Sequence, residues 1–188
     1  MTHVFFVRHA RPNYDNHDDF SRELSPQGMA DRALVTRFLA DKQIDVVLSS
    51  PYKRAVDTVK AFADQYGFPV QTIDGFRERS VERVWVEDFT AFAQKQWADF
   101  SYRLPGGESL QEVQDRNIAA LNAVLEQYAG KNIVIGSHGT ALSTIIHFYD
   151  PSFGYAEFDK VRHLMPWIVE FTFDAAQNCL SIQPYELL

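Results

Sequence analysis

The chain has 188 residues, of which 46% are hydrophobic and 23% are charged, and these proportions exclude a disordered or collagen-like protein. Its net charge of −7 argues against a protein that binds nucleic acid or an anionic membrane through a basic surface. The single cysteine, Cys179, excludes an internal disulfide and a metal site built from cysteines.

The amino-terminal segment predicts the first element, a strand over Val4–Val7. Its residues are all β-branched or aromatic, as expected of a strand that is buried on both faces. This apolar run is too short for a signal peptide, and no stretch approaches the roughly 18 apolar residues of a membrane span. We therefore expect a cytoplasmic protein without a membrane partner.

The first helix is predicted to begin at Pro26, with Ser25 as its N-cap, and to continue to about Lys42. Apolar residues recur along it at helical spacing and predict the face that it buries. These residues are Ala30, Leu34 and Phe38.

Strands and helices continue to alternate along the chain. The apolar runs Val46–Leu48 and Ile133–Ile135 are similar to the first strand. A helix is predicted from about Lys53 to Gly67, and a second from about Ser109 to Ala129, ended by Gly130. This alternation predicts an α/β fold of three layers, with a mostly parallel central sheet covered by helices on both faces.

The remaining segments complete one predicted domain over residues 1–188. Residues 77–104 are interpreted as a helical insertion. Apolar and polar residues alternate in Trp167–Phe173, which predicts a half-exposed strand near an edge of the sheet. No repeat, low-complexity tract or linker divides the chain.

Cationic and imidazole side chains follow three of the predicted strands. Arg8 and His9 come directly after the first strand, Arg54 comes shortly after the second, and His138 follows the third. Because the carboxyl ends of parallel strands lie at one edge of a sheet, we expect these side chains to converge. Buried cations without a counter-charge are costly, so this cluster predicts a site for an anion such as phosphate.

These motifs together resemble those of the histidine phosphatase superfamily, in its phosphoglycerate mutase-like branch. The resemblance extends from residue 4 to about residue 173, with every motif in the family's order. It implies a phosphoglycerate mutase-like fold, with no cofactor and no metal ion. The motifs are Arg8-His9, Ser50-Pro51-x-x-Arg54-Ala55, Glu78 and Ser137-His138-Gly139.

The resemblance also implies a role for each residue of these motifs. His9 would be the nucleophile that takes the phosphoryl group, Arg8 and Arg54 would hold its non-bridging oxygens, and His138 would complete the phosphate pocket. Glu78 would match the residue that gives a proton to the leaving group. Further contacts with phosphate or substrate are implied for Arg11, Asn13 and Gly139.

Physical chemistry supports these roles. Two guanidinium groups and an imidazole can neutralise the oxygens of a transferring phosphoryl group without a metal ion. Neighbouring cations lower the pKa of a histidine, which keeps the imidazole neutral and nucleophilic. The sequence shows neither a glycine-rich phosphate loop nor a cluster of carboxylates with metal-ligand spacing.

The sequence departs from the family pattern at two places. Ala10 stands where a glycine is usual, and the residues after Glu78 lack the usual Gly and Trp-Glu-Gly run. Glu82 is therefore an alternative proton donor. The stretch Pro105–Ser109 is either the start of a helix or a support for the pocket through Glu108 and Ser109.

Other charged residues also allow two interpretations. Four arginines either extend the positive rim toward a second anionic group or pair with carboxylates; these are Arg77, Arg79, Arg83 and Arg103. Four histidines have no metal-ligand spacing and are expected to be structural or to face solvent; these are His3, His17, His147 and His163.

The leading hypothesis is a metal-independent phosphatase that hydrolyses a small phosphorylated substrate through a phosphohistidine at His9. Hydrolysis is favoured over a mutase reaction because the chain is short and because the residues from Arg11 to Asn13 differ from those of the mutases. The alternatives are a phosphotransferase of the phosphoglycerate mutase type and a catalytically silent module that binds a phosphorylated ligand.

Overall fold

The computed structural model of this chain describes residues 1–81 and 86–187. Within these ranges a central sheet of six strands is accompanied by six α-helices. The strands are β1 (Thr2–Arg8), β2 (Val46–Ser49), β3 (Val70–Thr72), β4 (Asn132–Ser137), β5 (Trp167–Phe173) and β6 (Cys179–Glu186). The helices are α1 (Pro26–Leu39), α2 (Lys53–Tyr66), α3 (Phe89–Ala98), α4 (Leu110–Gln127), α5 (Gly139–Tyr149) and α6 (Tyr155–Val161).

The sheet has the strand order β3-β2-β4-β1-β5-β6. The first four strands in this order are parallel to one another, whereas β5 is antiparallel to both of its neighbours. The prediction of a mostly parallel sheet is therefore confirmed. Strands β2, β4 and β1 lie side by side in its centre, so the loops that follow them lie next to one another.

Helices cover both faces of the sheet, and β1 shows why its sequence is apolar throughout. Phe5 and Val7 belong to the core formed with α1 and α2. Val4 and Phe6 belong to the core formed with α4 and α5. A strand that packs against helices on both sides has no polar face, because successive side chains point to opposite sides of the sheet. The predicted three-layer architecture is confirmed.

Helix α1 begins as predicted, with the Ser25 side chain accepting a hydrogen bond from the Gly28 N–H. It ends at Leu39 rather than at about Lys42, and Gln43 in the following turn has a φ of 51°. The predicted buried face is confirmed in part: Phe38 packs against the core, but the fully buried residues of the helix there are Val35 and Leu39.

The first turn of α1 packs closely against the loop that follows β1. A Cβ at Gly28 would lie 2.1 Å from the carbonyl oxygen of Arg11, so the helix backbone lies directly against the chain at this point. This close approach leaves no room for a side chain at Gly28. Ala30 is exposed, and Leu34 and Phe38 are only partly buried.

Strand β5 is more buried than its alternating pattern predicted. It is second from the edge, because β6 pairs with it on the outer side. Its polar residue Glu170 is held by His3 at 2.8 Å and by the Tyr185 hydroxyl at 2.9 Å. The alternation in β5 therefore reflects a polar residue that is hydrogen-bonded rather than exposed. The edge strand β6 was not predicted from the sequence.

Helix α3 lies within the predicted insertion at residues 77–104. Glu82, the alternative proton donor, lies outside the described residues, as do Arg83 and its neighbours up to residue 85. In the part of the chain that the structure describes, no helix is both long and apolar enough to cross a membrane.

Candidate active site

The loops after the three central strands bring the predicted residues together. The His9 N–H donates to the Ser137 carbonyl oxygen at 3.1 Å, which joins the loop after β1 to the end of β4. The rings of His9 and His138 lie edge to face with their centroids 5.4 Å apart. The sequence therefore anticipated correctly that β1 and β4 present these two imidazoles side by side.

Thr58 connects the loop after β1 to the first turn of α2. Its hydroxyl donates to the Arg54 carbonyl oxygen at 2.7 Å and accepts a hydrogen bond from the Ala10 N–H at 3.0 Å. This bridge ties Arg54 to the residue that follows His9. Sequence analysis did not single out Thr58, because a threonine inside a helix has no pattern of its own.

The hydrogen bonding of His9 identifies which ring nitrogen is free to react. Its Nδ1 lies 2.8 Å from the Ala10 carbonyl oxygen, and a carbonyl can only accept, so Nδ1 carries the proton. The lone pair of the neutral ring is then on Nε2. Burial, together with the charges of Arg54 and Arg8, holds the pKa of His9 well below its usual value. The imidazole is therefore neutral at physiological pH.

Ala10 does not disturb this loop. Among the described residues, Gln43 and Gln177 are the non-glycine residues with positive φ, so Ala10 has a conformation that suits an L-amino acid. Its side chain is fully buried and its N–H is satisfied by Thr58. The usual glycine is not required at this position.

Arg8 is held from the opposite side by the end of α6. Its Nη1 donates to the carbonyl oxygens of Val161 and Leu164, both at 3.1 Å. Burial lowers the pKa of Arg8 to about 10 against the opposing effect of Glu78, so the guanidinium stays charged. A Cβ at Gly139 would lie within 3.0 Å of this guanidinium, so the group packs against the first residue of α5.

His138 is fully buried beside these groups. Its Nε2 lies 2.8 Å from the Ser50 hydroxyl, which follows β2. Burial and the nearby charge of Arg54 hold the pKa of His138 well below its usual value. Its Nδ1 and the Nε of Arg8 are both sealed from solvent without a hydrogen-bond partner among the described residues. Such orphaned polar atoms are rare, and they commonly mark a site with a function.

Arg54 is occupied by a residue that sequence analysis missed. Its Nη1 donates to the Asp19 carbonyl oxygen at 2.6 Å, and its Nη2 donates to the Asp19 carboxylate at 3.0 Å. Arg54 is 3% exposed, whereas the side chain of Asp19 is 40% exposed. The loop before α1 therefore places a carboxylate where the predicted role of Arg54 requires an oxyanion. No motif marks Asp19 in the sequence.

Glu78 lies at the amino-terminal end of α5. One carboxylate oxygen accepts from the N–H groups of Ala141 and Arg79, and the other accepts from the N–H of Thr140 at 3.0 Å. These contacts fix the position of the carboxyl group beside the first turn of α5. Its second oxygen keeps one acceptor position that these bonds do not use.

Glu108 fastens the segment that carries Glu78. It accepts from both Arg116 Nε and Nη2, at 3.1 and 2.9 Å, and from the Ser80 N–H at 2.9 Å. It also forms a looser ion pair with Arg77 at 3.5 Å. Ser109 is the N-cap of α4, in a capping box with Glu112. Glu108 thus supports the pocket, and Ser109 starts the helix.

A cavity of about 830 Å³ opens onto this cluster. The residues that line it include Arg8, His9, Arg54, Glu78 and Gly139. His138 is fully buried against the His9 ring and is not among the lining residues. Arg11 and Asn13 are not among the lining residues. Asn13 instead donates to Glu23 within the loop before α1, at 2.6 Å, and the carbonyl of Arg11 accepts from Ser25.

A profile of the histidine phosphatase superfamily (branch 1) matches residues 4–180. The chain belongs to this superfamily. The matched range contains both histidine motifs, Arg54 and Glu78.

Two curated relatives in the superfamily differ in the activity that their names state. The chain is 27% identical to the uncharacterized phosphatase PhoE of Bacillus subtilis, over 78% of this chain and 76% of that protein. It is 29% identical to a probable phosphoglycerate mutase GpmB of Yersinia enterocolitica, over 78% and 74%. The two relatives thus represent a phosphatase and a mutase.

A solved structure confirms the phosphoglycerate mutase-like fold. The phosphoserine phosphatase of Entamoeba histolytica, in complex with 3-phosphoglyceric acid, superposes with a TM-score of 0.79. The superposition covers the whole of both chains at 22% identity. The two proteins therefore share their fold over the full length of both chains.

The arginines of the predicted rim separate into two groups. Arg77 pairs with Asp74 and Glu108, and Arg103 pairs with Glu112. Arg79 is buried and lines the cavity, and no carboxylate of the described residues pairs with it. Arg77 and Arg103 therefore pair with carboxylates, as one interpretation predicted. For Arg79, extension of the positive rim toward a second anionic group stays a prediction.

The four remaining histidines also divide. His3 contacts Glu170, and His147 lies 2.7 Å from the Phe153 carbonyl oxygen, so both belong to the framework. His17 and His163 line the cavity at its exposed rim. Within residues 1–81 and 86–187, no group of three or more His, Cys, Asp or Glu side chains could hold a metal ion.

Proposed function

We propose that this chain is a metal-independent phosphatase that hydrolyses small phosphomonoesters through a phosphohistidine at His9. The observation that carries the proposal is the arrangement around His9. A neutral imidazole with a free Nε2 lies beside two buried guanidinium groups on the floor of an open cavity. A phosphate monoester is the substrate that this combination of nucleophile and fixed positive charge favours.

In the first step, the Nε2 lone pair attacks phosphorus and the P–O bond to the leaving group breaks. Arg8 and Arg54 neutralise the non-bridging oxygens of the phosphoryl group, and His138, whose ring contacts that of His9, completes the pocket. The leaving oxygen takes a proton from Glu78, whose carboxyl group lines the same cavity. Before the reaction, this proton is on the Glu78 oxygen that accepts only from the Thr140 N–H.

In the second step, water attacks the phosphohistidine. The P–N bond breaks, its electron pair returns to Nε2, and the proton of the attacking water goes to the Glu78 carboxylate. Inorganic phosphate leaves and the starting protonation state is restored. The hydrogen bond from Nδ1 to the Ala10 carbonyl keeps His9 in the same tautomer throughout the cycle.

The proposal is tested by turnover of p-nitrophenyl phosphate and by acid-labile labelling of the protein with radioactive substrate. We expect His9→Ala to lower kcat by at least about 10³-fold and to abolish the label. His3→Ala is the matched control, since His3 lies at the other end of β1. Vanadate should inhibit the wild-type protein and EDTA should not. A folded His9→Ala protein that keeps most of its activity would refute the proposal.

Glu78 is tested by comparing leaving groups. An alkoxide needs a proton far more than p-nitrophenolate does, so Glu78→Gln should lower kcat for glycerol 3-phosphate more than for p-nitrophenyl phosphate. We expect a loss of about 10²-fold or more for the alkyl ester. Equal losses for both substrates would show that Glu78 positions α5 and transfers no proton.

The mutase relative supports a second candidate, in which the phosphohistidine is transferred back to a product. Supplying 3-phosphoglycerate and analysing the products distinguishes the two reactions. A phosphatase releases inorganic phosphate, whereas a mutase forms the 2-phospho isomer. A folded protein that turns over no phosphoester of a broad panel, but binds one, would be a silent binding module.

A further inference from the structure

Tyr52 lines the cavity beside the phosphate pocket, and the proposed reaction gives it no role. It is the N-cap residue of α2 and occupies the first unspecified position of the motif Ser50-Pro51-x-x-Arg54. Burial raises the pKa of its hydroxyl to about 12, so the phenol is neutral. Among the described residues, this hydroxyl has no hydrogen-bond partner. The contacts of Tyr52 with the site are therefore those of its ring and its backbone.

The ring of Tyr52 supports the guanidinium of Arg54. The guanidinium carbon lies over this ring, 5.2 Å from its centroid. Arg54 is only 3% exposed, so water competes little for this cation–π contact. The attraction is between the positive charge and the face of the ring, and it needs no hydrogen-bond acceptor. The contact therefore leaves the N–H donors of Arg54 available to bind an anion.

Asp19 is the group that binds those donors in this structure. Nη1 of Arg54 donates to the Asp19 carbonyl oxygen at 2.6 Å, and Nη2 donates to its carboxylate at 3.0 Å. A phosphoryl group bound at Arg54 takes over one or both of these hydrogen bonds. Tyr52 and Arg54 both lie at the start of α2, so the ring contact does not depend on the loop that carries Asp19. The ring can therefore hold the guanidinium while its hydrogen-bond partners are exchanged.

Tyr52 also contacts the second imidazole of the pocket. Its ring lies edge to face with that of His138, with the centroids 5.3 Å apart and an angle of 68° between the planes. Its backbone N–H donates at 3.2 Å to the Ser50 hydroxyl, which lies 2.8 Å from Nε2 of His138. One residue thus joins the phosphate-binding arginine to the buried histidine beside it.

We propose that Tyr52 is a positioning residue for phosphate, whose ring holds Arg54 in place while its N–H donors pass from Asp19 to the phosphoryl group. The inference rests on the proposed function, because that function brings a phosphoryl group to Arg54. It assigns the role to the aromatic ring and gives none to the hydroxyl. A substitution that keeps the ring therefore differs in effect from one that removes it.

Calorimetric titration with inorganic phosphate tests the role of the ring. Tyr52→Leu should weaken phosphate binding by about 3- to 30-fold, the range of a cation–π contact that is partly removed from water. Tyr52→Phe keeps the ring and should bind phosphate as the wild type does. Equal affinities of the wild type and Tyr52→Leu would overturn the proposal. A loss in Tyr52→Phe as large as that in Tyr52→Leu would also overturn it, because the hydroxyl would then be the active group.

Tyr66→Leu is the matched control for these titrations. It makes the same change at the other end of α2, where the ring of Tyr66 is 44% exposed and packs against Phe62. Phosphate affinity should not change in this variant. A loss equal to that of Tyr52→Leu would show that the effect comes from the stability of α2, and it would contradict a local role for Tyr52.

A double-mutant cycle tests whether Tyr52 acts through Arg54. If it does, Tyr52→Leu should cause no further loss of phosphate affinity in a protein that already carries Arg54→Gln. The same fold loss in both backgrounds would overturn the assignment to Arg54. If Arg54→Gln does not fold, the comparison of phenylalanine and leucine at position 52 decides alone.

Binding and turnover are measured separately, so failure of this inference is distinct from failure of the proposed reaction. Weaker phosphate binding in Tyr52→Leu supports the positioning role even if the wild-type protein hydrolyses no phosphoester. An active wild-type protein whose phosphate affinity is unchanged by Tyr52→Leu refutes the positioning role and leaves the proposed reaction intact. A wild-type protein that does not bind phosphate would overturn both.

Discussion

At the scale of single residues, Gly139 provides the space that Arg8 occupies. We expect Gly139→Ala to displace the guanidinium, because the new methyl group would lie within 3.0 Å of its atoms. Two carbonyl groups at the end of α6 hold Arg8, so it cannot move without losing hydrogen bonds. Inhibition by inorganic phosphate should weaken by about 10-fold or more, as for loss of a charge-assisted contact.

Gly154→Ala is the matched control for that prediction. It makes the same change at a residue with φ of −118°, and the new methyl group would meet only the Glu157 carboxylate, at 3.8 Å. The inhibition constant of phosphate should not change in this variant. If both glycine variants bind phosphate as the wild type does, Arg8 is not a phosphate ligand.

At the scale of elements, the loop between β1 and α1 carries the carboxylate that contacts Arg54. The loop is closed by Asn13 and Asn16, whose side chains both donate to Glu23. These hydrogen bonds lower the pKa of Glu23 to about 2, so the closure persists until the pH falls well below 4.5. The loop thus keeps Asp19 beside Arg54 throughout the neutral and mildly acidic range.

We expect Asp19→Asn to strengthen inhibition by inorganic phosphate, because it removes a negative charge that competes for Arg54. The Asp19 side chain is 40% exposed, so solvent screens the pair and the gain should not exceed about fivefold. Asp15→Asn makes the same change of charge at an exposed position of the same loop and should have no effect. Weaker inhibition in Asp19→Asn would show instead that Asp19 orients Arg54 for phosphate.

The start of α4 and the segment before α3 are joined by Glu108. Glu108→Gln should lower the free energy of unfolding by about 1–3 kcal/mol, because Arg116 loses its charged acceptor and stays mostly buried. Urea denaturation of the two proteins measures this difference. Turnover of glycerol 3-phosphate should fall in the same variant, since Ser80 and Arg77 hold Glu78 in place through Glu108. Wild-type stability and turnover would contradict this role.

At the scale of the whole molecule, the two buried histidines make folding depend on pH. His9 and His138 both have a pKa well below 6.5 in the folded protein, whereas in the unfolded chain it returns to about that value. Below pH 6.5 the unfolded chain therefore binds protons that the folded protein excludes. The free energy of unfolding should fall as the pH drops from 6.5 to 5, by up to about 1.4 kcal/mol per pH unit for each histidine.

Urea denaturation at several pH values measures this slope. His138→Asn removes one of the two groups and should flatten the dependence between pH 6.5 and 5. The control is His163→Gln, since His163 is exposed. An unchanged slope in His138→Asn would mean that this histidine has the same pKa in the folded protein as in the unfolded chain.

The sequence predicted the centre of the molecule better than its periphery. Apolar runs of three or four residues were enough to identify β1, β2 and β4, because strands covered on both faces have no polar positions. The convergence of Arg8, His9, Arg54 and His138 followed from the direction of those strands. The rule that parallel strands end at one edge of a sheet, together with the local composition, therefore predicted that these residues cluster.

What the sequence did not predict depends on contacts between distant segments. The close approach of the Arg11 backbone to Gly28 at the start of α1 is not revealed by any periodicity. The contact between Asp19 and Arg54 joins positions 35 residues apart, and the support of Glu78 by Glu108 spans a turn and a helix. Strand β6 alternates weakly and is mostly exposed, so its pairing with β5 left no clear pattern.

The position of Arg8 between the first strand and the end of α6 also has a consequence for truncated forms of the chain. Its guanidinium is held by carbonyl groups more than 150 residues away, and its neighbour His9 bonds to Ser137. A break anywhere between residues 60 and 130 would place Arg8 and His138 on separate fragments. Neither fragment alone would hydrolyse phosphate esters, and recovery of activity on mixing would report that the two halves had reassembled.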